Sequence, residues 1–312
     1  MNSRLSNDIK AEARNLGFFS CGIARAEAVD DGVVELYSKW MAEGKNAGMA
    51  WLGSHSDLRF DPRLLMPGVK SIVCVAMNYC PAKTFPEGQY QLAAYAYGKD
   101  YHDVVKRRLH RLATHFSFEH YRAFCDSAPV LERYWAAKAG IGWLGRNHQL
   151  IIPHAGSMFF LGELFLDIEL DPDEPMPSLC AGCTKCVEAC PTGALSLNKE
   201  DNDATVFDAN KCLSYLSIEN RGEIPPCLAA KMGSTIYGCD CCHRCCPWNR
   251  FAAPTTVEEL LPSDALLSMT RSDWHCLSPE QYRALFKGSA VKRAKYEGLM
   301  RNIRAVENNG KN

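Results

Sequence analysis

The run Cys180-Ala-Gly-Cys183-Thr-Lys-Cys186-Val-Glu-Ala-Cys190-Pro191, followed by Cys239-Asp-Cys-Cys242-His-Arg-Cys-Cys246-Pro247, decides how this chain is read. CxxCxxCxxxCP is the spacing in which three thiolates hold one [4Fe–4S] cluster and the fourth crosses to a second. By that logic Cys180, Cys183, Cys186 and Cys246 form one ligand set. Cys190, Cys239 and Cys242 form the other and need a fourth thiolate. Cys212 lies between the runs and is the first choice, with Cys227 the alternative. Cys241 and Cys245 fall out of register. A zinc site also uses CxxC pairs, but a single zinc ion takes only four ligands. The spacing therefore predicts one-electron transfer through two [4Fe–4S] clusters.

Outward from this segment, the 312 residues exceed what a cluster module needs, so at least one further domain is expected. Hydrophobic residues make up 47% and charged residues 23%, as in ordinary globular chains. A net charge of −1 excludes a globally basic nucleic-acid binder and leaves room for a local basic face. The first residues read as a charged amphipathic helix rather than a signal peptide, and no apolar run is long enough to cross a bilayer. With sixteen cysteines in ligand spacing, the expectation is reduced thiols in a cytoplasm and no membrane partner.

Three segments are expected: an α/β domain over 1–175, the cluster domain over 176–250, and a helical, basic region over 251–312. The Pro-rich acidic stretch 171–179 marks the first boundary. Periodicity predicts helices over 4–16, 30–44 and 99–121 and strands within 71–79, 148–153 and 158–170. Residues 281–312 hold eight Lys or Arg against two Asp or Glu, a net of +6. Gly140-x-Gly142-x-x-Gly145 matches GxGxxG, but it follows the helix-like stretch 130–139 rather than a strand, so a dinucleotide site is not expected.

With these blocks in view, the chain resembles the epoxyqueuosine reductase family. The carriers are Arg59-Phe-Asp-Pro-Arg63, Asp126-Ser-Ala-Pro-Val-Leu-Glu132, AAKAGIGWLGRN (136–147), the two cysteine runs, Cys212-Leu-Ser-Tyr-Leu-Ser-Ile-Glu219 and GSAVKRAKYEGLMRNI (288–303). The resemblance implies a nitroreductase-like, corrinoid-binding α/β domain, a two-cluster α+β ferredoxin domain and a short helical C-terminal part. Many members of the family carry a longer helical-repeat tail. The implied activity is reduction of epoxyqueuosine to queuosine at the tRNA wobble position, with release of water. Two [4Fe–4S] clusters would deliver electrons and cob(II)alamin would be the reactive centre. The implied partners are tRNA with a G-U-N anticodon and an external low-potential electron donor, and the expected state is a monomer.

The resemblance also implies residue roles. Asp126 would be the proton donor, which calls for a carboxyl kept protonated by burial. Read by itself, Asp126 is better explained as a helix N-cap. Arg59, Asp126, Leu150, Ser214, Cys241 and Cys242 would face the corrinoid. Arg221, Lys292, Arg293 and Arg301 would face tRNA phosphates, with the basic run Lys106–Arg111 a further candidate. Two other readings share these features: a corrinoid and iron–sulfur reductive dehalogenase, and a non-catalytic two-cluster electron carrier. The first usually carries a twin-arginine signal, which is missing here.

Overall fold

The computed structural model describes residues 2–198 and 204–309. Lys311, counted in the basic segment, lies outside them. The first segment runs α1 (Asn2–Asn15), β1 (Ser20–Arg25), α2 (Asp31–Ala42), α3 (Ser56–Phe60), α4 (Pro62–Leu65), β2 (Ser71–Asn78), β3 (Gln91–Leu92), α5 (Tyr101–His115), β4 (Tyr121–Phe124), α6 (Glu132–Lys138), β5 (Trp143–Leu144), β6 (Leu150–Ile151) and β7 (Phe159–Leu166). The cluster segment contributes α7 (Lys185–Glu188), β8 (Leu195–Leu197), β9 (Thr205–Phe207), α8 (Leu213–Ile218), α9 (Pro226–Ala229), β10 (Thr235–Tyr237) and α10 (Cys241–Arg244). The last segment contributes α11 (Asp264–Leu267), α12 (Arg271–His275), α13 (Pro279–Leu285) and α14 (Lys295–Asn309).

The central sheet is antiparallel, in the order β1-β2-β7-β4. Strands β2 and β7 are apolar on both faces because both faces are covered. Val73, Val75, Met77, Leu164 and Leu166 face one cluster of side chains with Leu109 and Leu112 of α5. Ile72, Cys74, Ala76 and Phe165 face the other, with Tyr134, Trp135 and Ala136 of α6. Strand period two thus sends alternate residues into two apolar layers.

The expected helices and strands are present with shifted ends. The helix expected over 99–121 stops at His115, because Ser117 turns left-handed at φ 53° and the chain re-enters the sheet as β4. Of residues 148–153 only Leu150–Ile151 is strand, paired in a hairpin with Trp143–Leu144. The GxGxxG glycines build the entry to that hairpin. A Cβ on Gly142 would sit 2.2 Å from the Ile151 carbonyl oxygen, so close backbone packing explains that glycine without a nucleotide.

One apolar cluster joins all three segments, from Ile9 of α1 through Tyr237 of β10 to Ile303 of α14. Strand β10 pairs in parallel with β3, tying the cluster segment to the first. Among the described residues no helix is long and apolar enough to cross a membrane.

Candidate active site

The site builds from three adjoining parts: a cysteine cage, an aromatic wall and a carboxylate loop. Helices α7 and α10 are single turns, each starting at a tight loop and each carrying cysteines. They pack on each other. The thiols of both runs act on one another, and Cys245 also lies near Cys186 and Cys242. Burial, then neighbouring thiols that include Cys180 and Cys183, pushes the Cys186 thiol up to about 11, and Cys180 and Cys183 also bear on Cys246. Burial raises Cys212, which has Cys190 beside it. Burial also raises Cys242, which has Cys212 and Cys190 beside it. Cys239 is raised first by its bond to Cys241 and also lies near Cys212.

Cys227 is exposed and stands outside this group of thiols, which favours Cys212. Cys245 turns back on its own helix, with Sγ 3.6 Å from the Cys242 carbonyl oxygen. Among the described residues no three His, Cys, Asp or Glu converge on a single-ion site. The first segment holds this cage directly. Trp143 Nε1–H donates to Cys180 Sγ (3.4 Å), Arg146 to the Cys183 carbonyl (3.2 Å) and Asn147 to the Cys242 carbonyl (3.2 Å).

The wall connects the cage to the loop. Gly238 leaves space for Ala93, whose Cβ would lie 2.4 Å from a side chain there, and the Tyr95 hydroxyl donates to Tyr237 (3.2 Å). Tyr95 meets Tyr101 edge-on. Tyr101 stacks flat on Phe160, at 4.2 Å and 2°, and on His102. Phe160 packs on Tyr79, whose hydroxyl is held protonated by burial and by charges on Asp240 and Cys242.

Asp126 stands at the end of this wall, in the loop between β4 and α6, at φ 59°. Tyr101 donates its hydroxyl to Asp126 Oδ2, and His102 Nε2 lies 3.2 Å from the same oxygen. His102 Nδ1 contacts Asp100 Oδ1 at 2.6 Å. Two expectations about Asp126 are corrected. It is not an N-cap, since α6 begins six residues later with Leu131 in the cap position. Nor is its carboxyl kept protonated. Burial pushes it up, but the bonds from His102 and Tyr101 win and hold it below the ordinary carboxylate value. Burial is the largest single influence, but the side chain is still 56% exposed, and the His102 and Tyr101 bonds together outweigh it.

The proton sits on the neighbour instead. Burial pulls His102 down, and the bonds to Asp100 and Asp126 outweigh this and raise it to about 9. Sequence reasoning missed Asp100, Tyr101 and His102. Their only local signal is that Asp100 caps α5 by accepting from the His102 backbone N–H.

Arg59, expected at the corrinoid, is buried. Its guanidinium lies 5.8 Å from the Tyr37 ring centre, and its Nε has no hydrogen-bond partner. A buried donor left unspent is costly, and it suits an acceptor on a bound cofactor. Leu150 is buried in β6 and Ser214 half-buried on α8.

The basic candidates divide. Arg301 is corrected: it is buried, and its guanidinium donates to the carbonyls of Leu216, Asn220 and Gly222, so phosphates do not reach it. Arg293 forks onto Glu219 (2.7 and 2.8 Å) while its backbone carbonyl accepts from Arg221 (3.0 Å). Lys292 is exposed. In the run 106–111, Arg107 and Arg108 both pair with Glu259.

Comparison with known proteins decides the reading. Residues 59–127 match the family described as epoxyqueuosine reductase QueG, DUF1730, and residues 179–249 match a 4Fe-4S double cluster binding domain. A Cellulophaga algicola protein named epoxyqueuosine reductase is 42% identical over 302 residues, covering 96% of either chain. This chain belongs to the epoxyqueuosine reductase family. It is an oxidoreductase of queuosine biosynthesis, and residues 179–249 are its double-cluster domain.

The Escherichia coli reductase is 36% identical, with 96% of this chain and 80% of that one covered. Among solved structures, the Streptococcus thermophilus reductase superposes with TM-score 0.87 at 25% identity, covering all of this chain and 82% of that one. A reductase bound to an epoxyqueuosine-modified tRNA-Tyr stem loop gives 0.87 at 26%, covering 97% and 80%. The Bacillus subtilis reductase, with its aspartate-bearing catalytic loop swung out of the active site, gives 0.86 at 26%, covering 97% and 81%. The organohalide and electron-carrier readings give way to the family.

Proposed function

We propose that the exposed edge of the aromatic wall at Asp126 receives the epoxyqueuosine nucleoside of a tRNA with a G-U-N anticodon, and that the adjoining wall receives cobalamin. The single observation that carries this is the hydrogen-bonded set Asp100–His102–Asp126–Tyr101, joined through packed aromatics to the cysteine cage. Cys180, Cys183, Cys186 and Cys246 would hold one cluster, and Cys190, Cys212, Cys239 and Cys242 the other. The two clusters, when bound, would supply electrons one at a time from an external low-potential donor. Arg59 would give its unspent Nε–H to cobalamin, with Leu150, Ser214 and the Cys241–Cys242 backbone as further contacts. Cobalamin, when bound, supplies the low-potential reductant for breaking C–O bonds.

The reaction consumes two electrons and two protons, and converts epoxide to alkene and water. Both C–O cleavages leave charge on oxygen, so a positioned acid lowers each barrier. Asp126 is ionised and His102 protonated in the resting protein. For each C–O cleavage a proton passes from His102 Nε2 to Asp126 Oδ2 and from the Asp126 carboxyl to the departing oxygen, and solvent recharges His102 between the two. Asp100 keeps His102 oriented and charged. Lys292 and Arg221, with Arg293 beside them, would line the approach for phosphates.

The nitroreductase-like character of the first segment, the boundaries near 175 and 250, the monomeric state and the cytoplasmic location belong to the same proposal. The antiparallel sheet covered on both faces supports the first. The test is a spectral titration with cob(II)alamin. Wild-type protein binds, and Arg59→Leu binds at least tenfold more weakly. Equal binding by both would remove Arg59 from the cofactor site.

A further inference from the structure

Behind the Asp126 loop lies a second pair of carboxyls that the reaction as derived does not use. Glu163 sits in the middle of β7, opposite Cys74 on β2 and Phe124 on β4, and is fully buried. Neither of its carboxyl oxygens reaches a hydrogen-bond partner. Its acidic neighbour is Glu132, the first residue of α6, whose carboxyl acts on it and raises it beyond the effect of burial. Glu132 Oε1 in turn accepts the backbone N–H of Asp126, six residues back along the loop. That bond fixes a residue whose φ of 59° is uncommon for aspartate.

We propose that Glu132, backed by the buried Glu163, is a carboxylic-acid latch that holds the Asp126 loop closed, and that loss of its proton releases the loop. Glu132 is then a positioning residue. Two facing carboxyls in dry surroundings do not both ionise. As an acid, Glu132 accepts from Asp126 N–H through one oxygen and turns its O–H toward Glu163. As an anion it would put charge against both Glu163 and the Asp126 carboxylate. Burial and the Asp126 charge raise Glu132 to about 8, and burial raises Glu163 further.

The other groups facing the pair do not reverse this. Arg133 of α6 and His102 of α5 act on Glu132 but leave it raised. The Cys74 and Cys125 thiols are pushed up by burial and stay neutral. The sign follows from linkage. The closed loop holds a proton that the open, solvated Glu132 releases near its ordinary value. Closure is complete at low pH, weakens through the interval between the two values and levels off above about 8.

The inference rests on the reading of Asp126 as the acid only for its consequence, and it is tested without turnover. Backbone hydrogen exchange of peptides covering 125–131 is followed in cluster-loaded protein from pH 5.0 to 6.5 and corrected for intrinsic exchange. In the closed loop His102 is protonated and Asp126 ionised across this window. Wild-type protection falls about tenfold per pH unit. Glu132→Gln keeps an acceptor for Asp126 N–H and cannot ionise, so its protection is high and flat. Glu132→Ala leaves the loop unprotected at every pH. If Glu132→Gln does not fold, Glu163→Gln serves, with the wild-type slope reduced. A flat wild-type profile, a wild-type slope in Glu132→Gln, or wild-type protection in Glu132→Ala would overturn the latch. Failure of Asp126 as the acid would appear separately, as normal turnover in Asp126→Asn.

Discussion

His102 Nε2 lies 3.2 Å from Asp126 Oδ2, with its other ring nitrogen 2.6 Å from Asp100. An imidazolium between two carboxylates is a stored proton beside an ionised acid, and this arrangement orders the chemistry. Asp126→Asn is expected to retain both clusters and to lose turnover by about 10²–10⁴-fold, the usual range for one general acid. Iron content and visible absorbance check the first half and nucleoside analysis the second.

His102 gives the pH dependence. Its value is raised from 6.5 to about 9, so its charged form is fully present below 6.5 and is lost as the pH rises through 9. Single-turnover rates in wild-type protein are expected to fall on the alkaline side near pH 9. In His102→Gln the remaining rate is lower and that limb is gone. An unchanged limb would assign it to another group.

The ligand sets make a counting prediction. Cys212→Ala should drop iron from roughly eight to roughly four per chain, the loss of one cluster. Cys241→Ser and Cys245→Ser should leave iron unchanged, since Cys245 is turned to the Cys242 carbonyl. Iron loss in Cys245→Ser with none in Cys212→Ala would redraw the sets.

Arg301 and Lys292 lie nine residues apart and should behave oppositely. Arg301→Ala strands three carbonyl acceptors and is expected to cost about 2–4 kcal/mol of stability. Lys292→Ala should leave stability unchanged and lower the salt dependence of tRNA binding by nearly one counterion. Thermal unfolding and binding titrations at several salt concentrations separate them.

Much of this was legible in the residues. Thiolate spacing is local, so the cysteine runs announce the clusters, and apolar runs announce β2 and β7. The strand hidden behind the long helix signal of 99–121 was not legible, because a single left-handed Ser117 breaks the pattern. Nor was the proton store. His102 and Asp126 are 24 positions apart and meet only through the packing of α5 against the sheet. Arg301 shows the opposite failure: a basic run looks like a solvated face until α14 docks on α8 and buries one of its charges.

The central claim is that this chain removes the epoxide oxygen with cobalamin in place. Cluster-reconstituted protein is incubated anaerobically with cobalamin, a low-potential reductant and epoxyqueuosine-containing tRNA, and the digested nucleosides are weighed by mass spectrometry. Loss of one oxygen from the modified nucleoside, abolished when cobalamin is omitted, is the predicted result. Unchanged epoxyqueuosine with both clusters and cobalamin loaded, or conversion at the same rate without cobalamin, would contradict it.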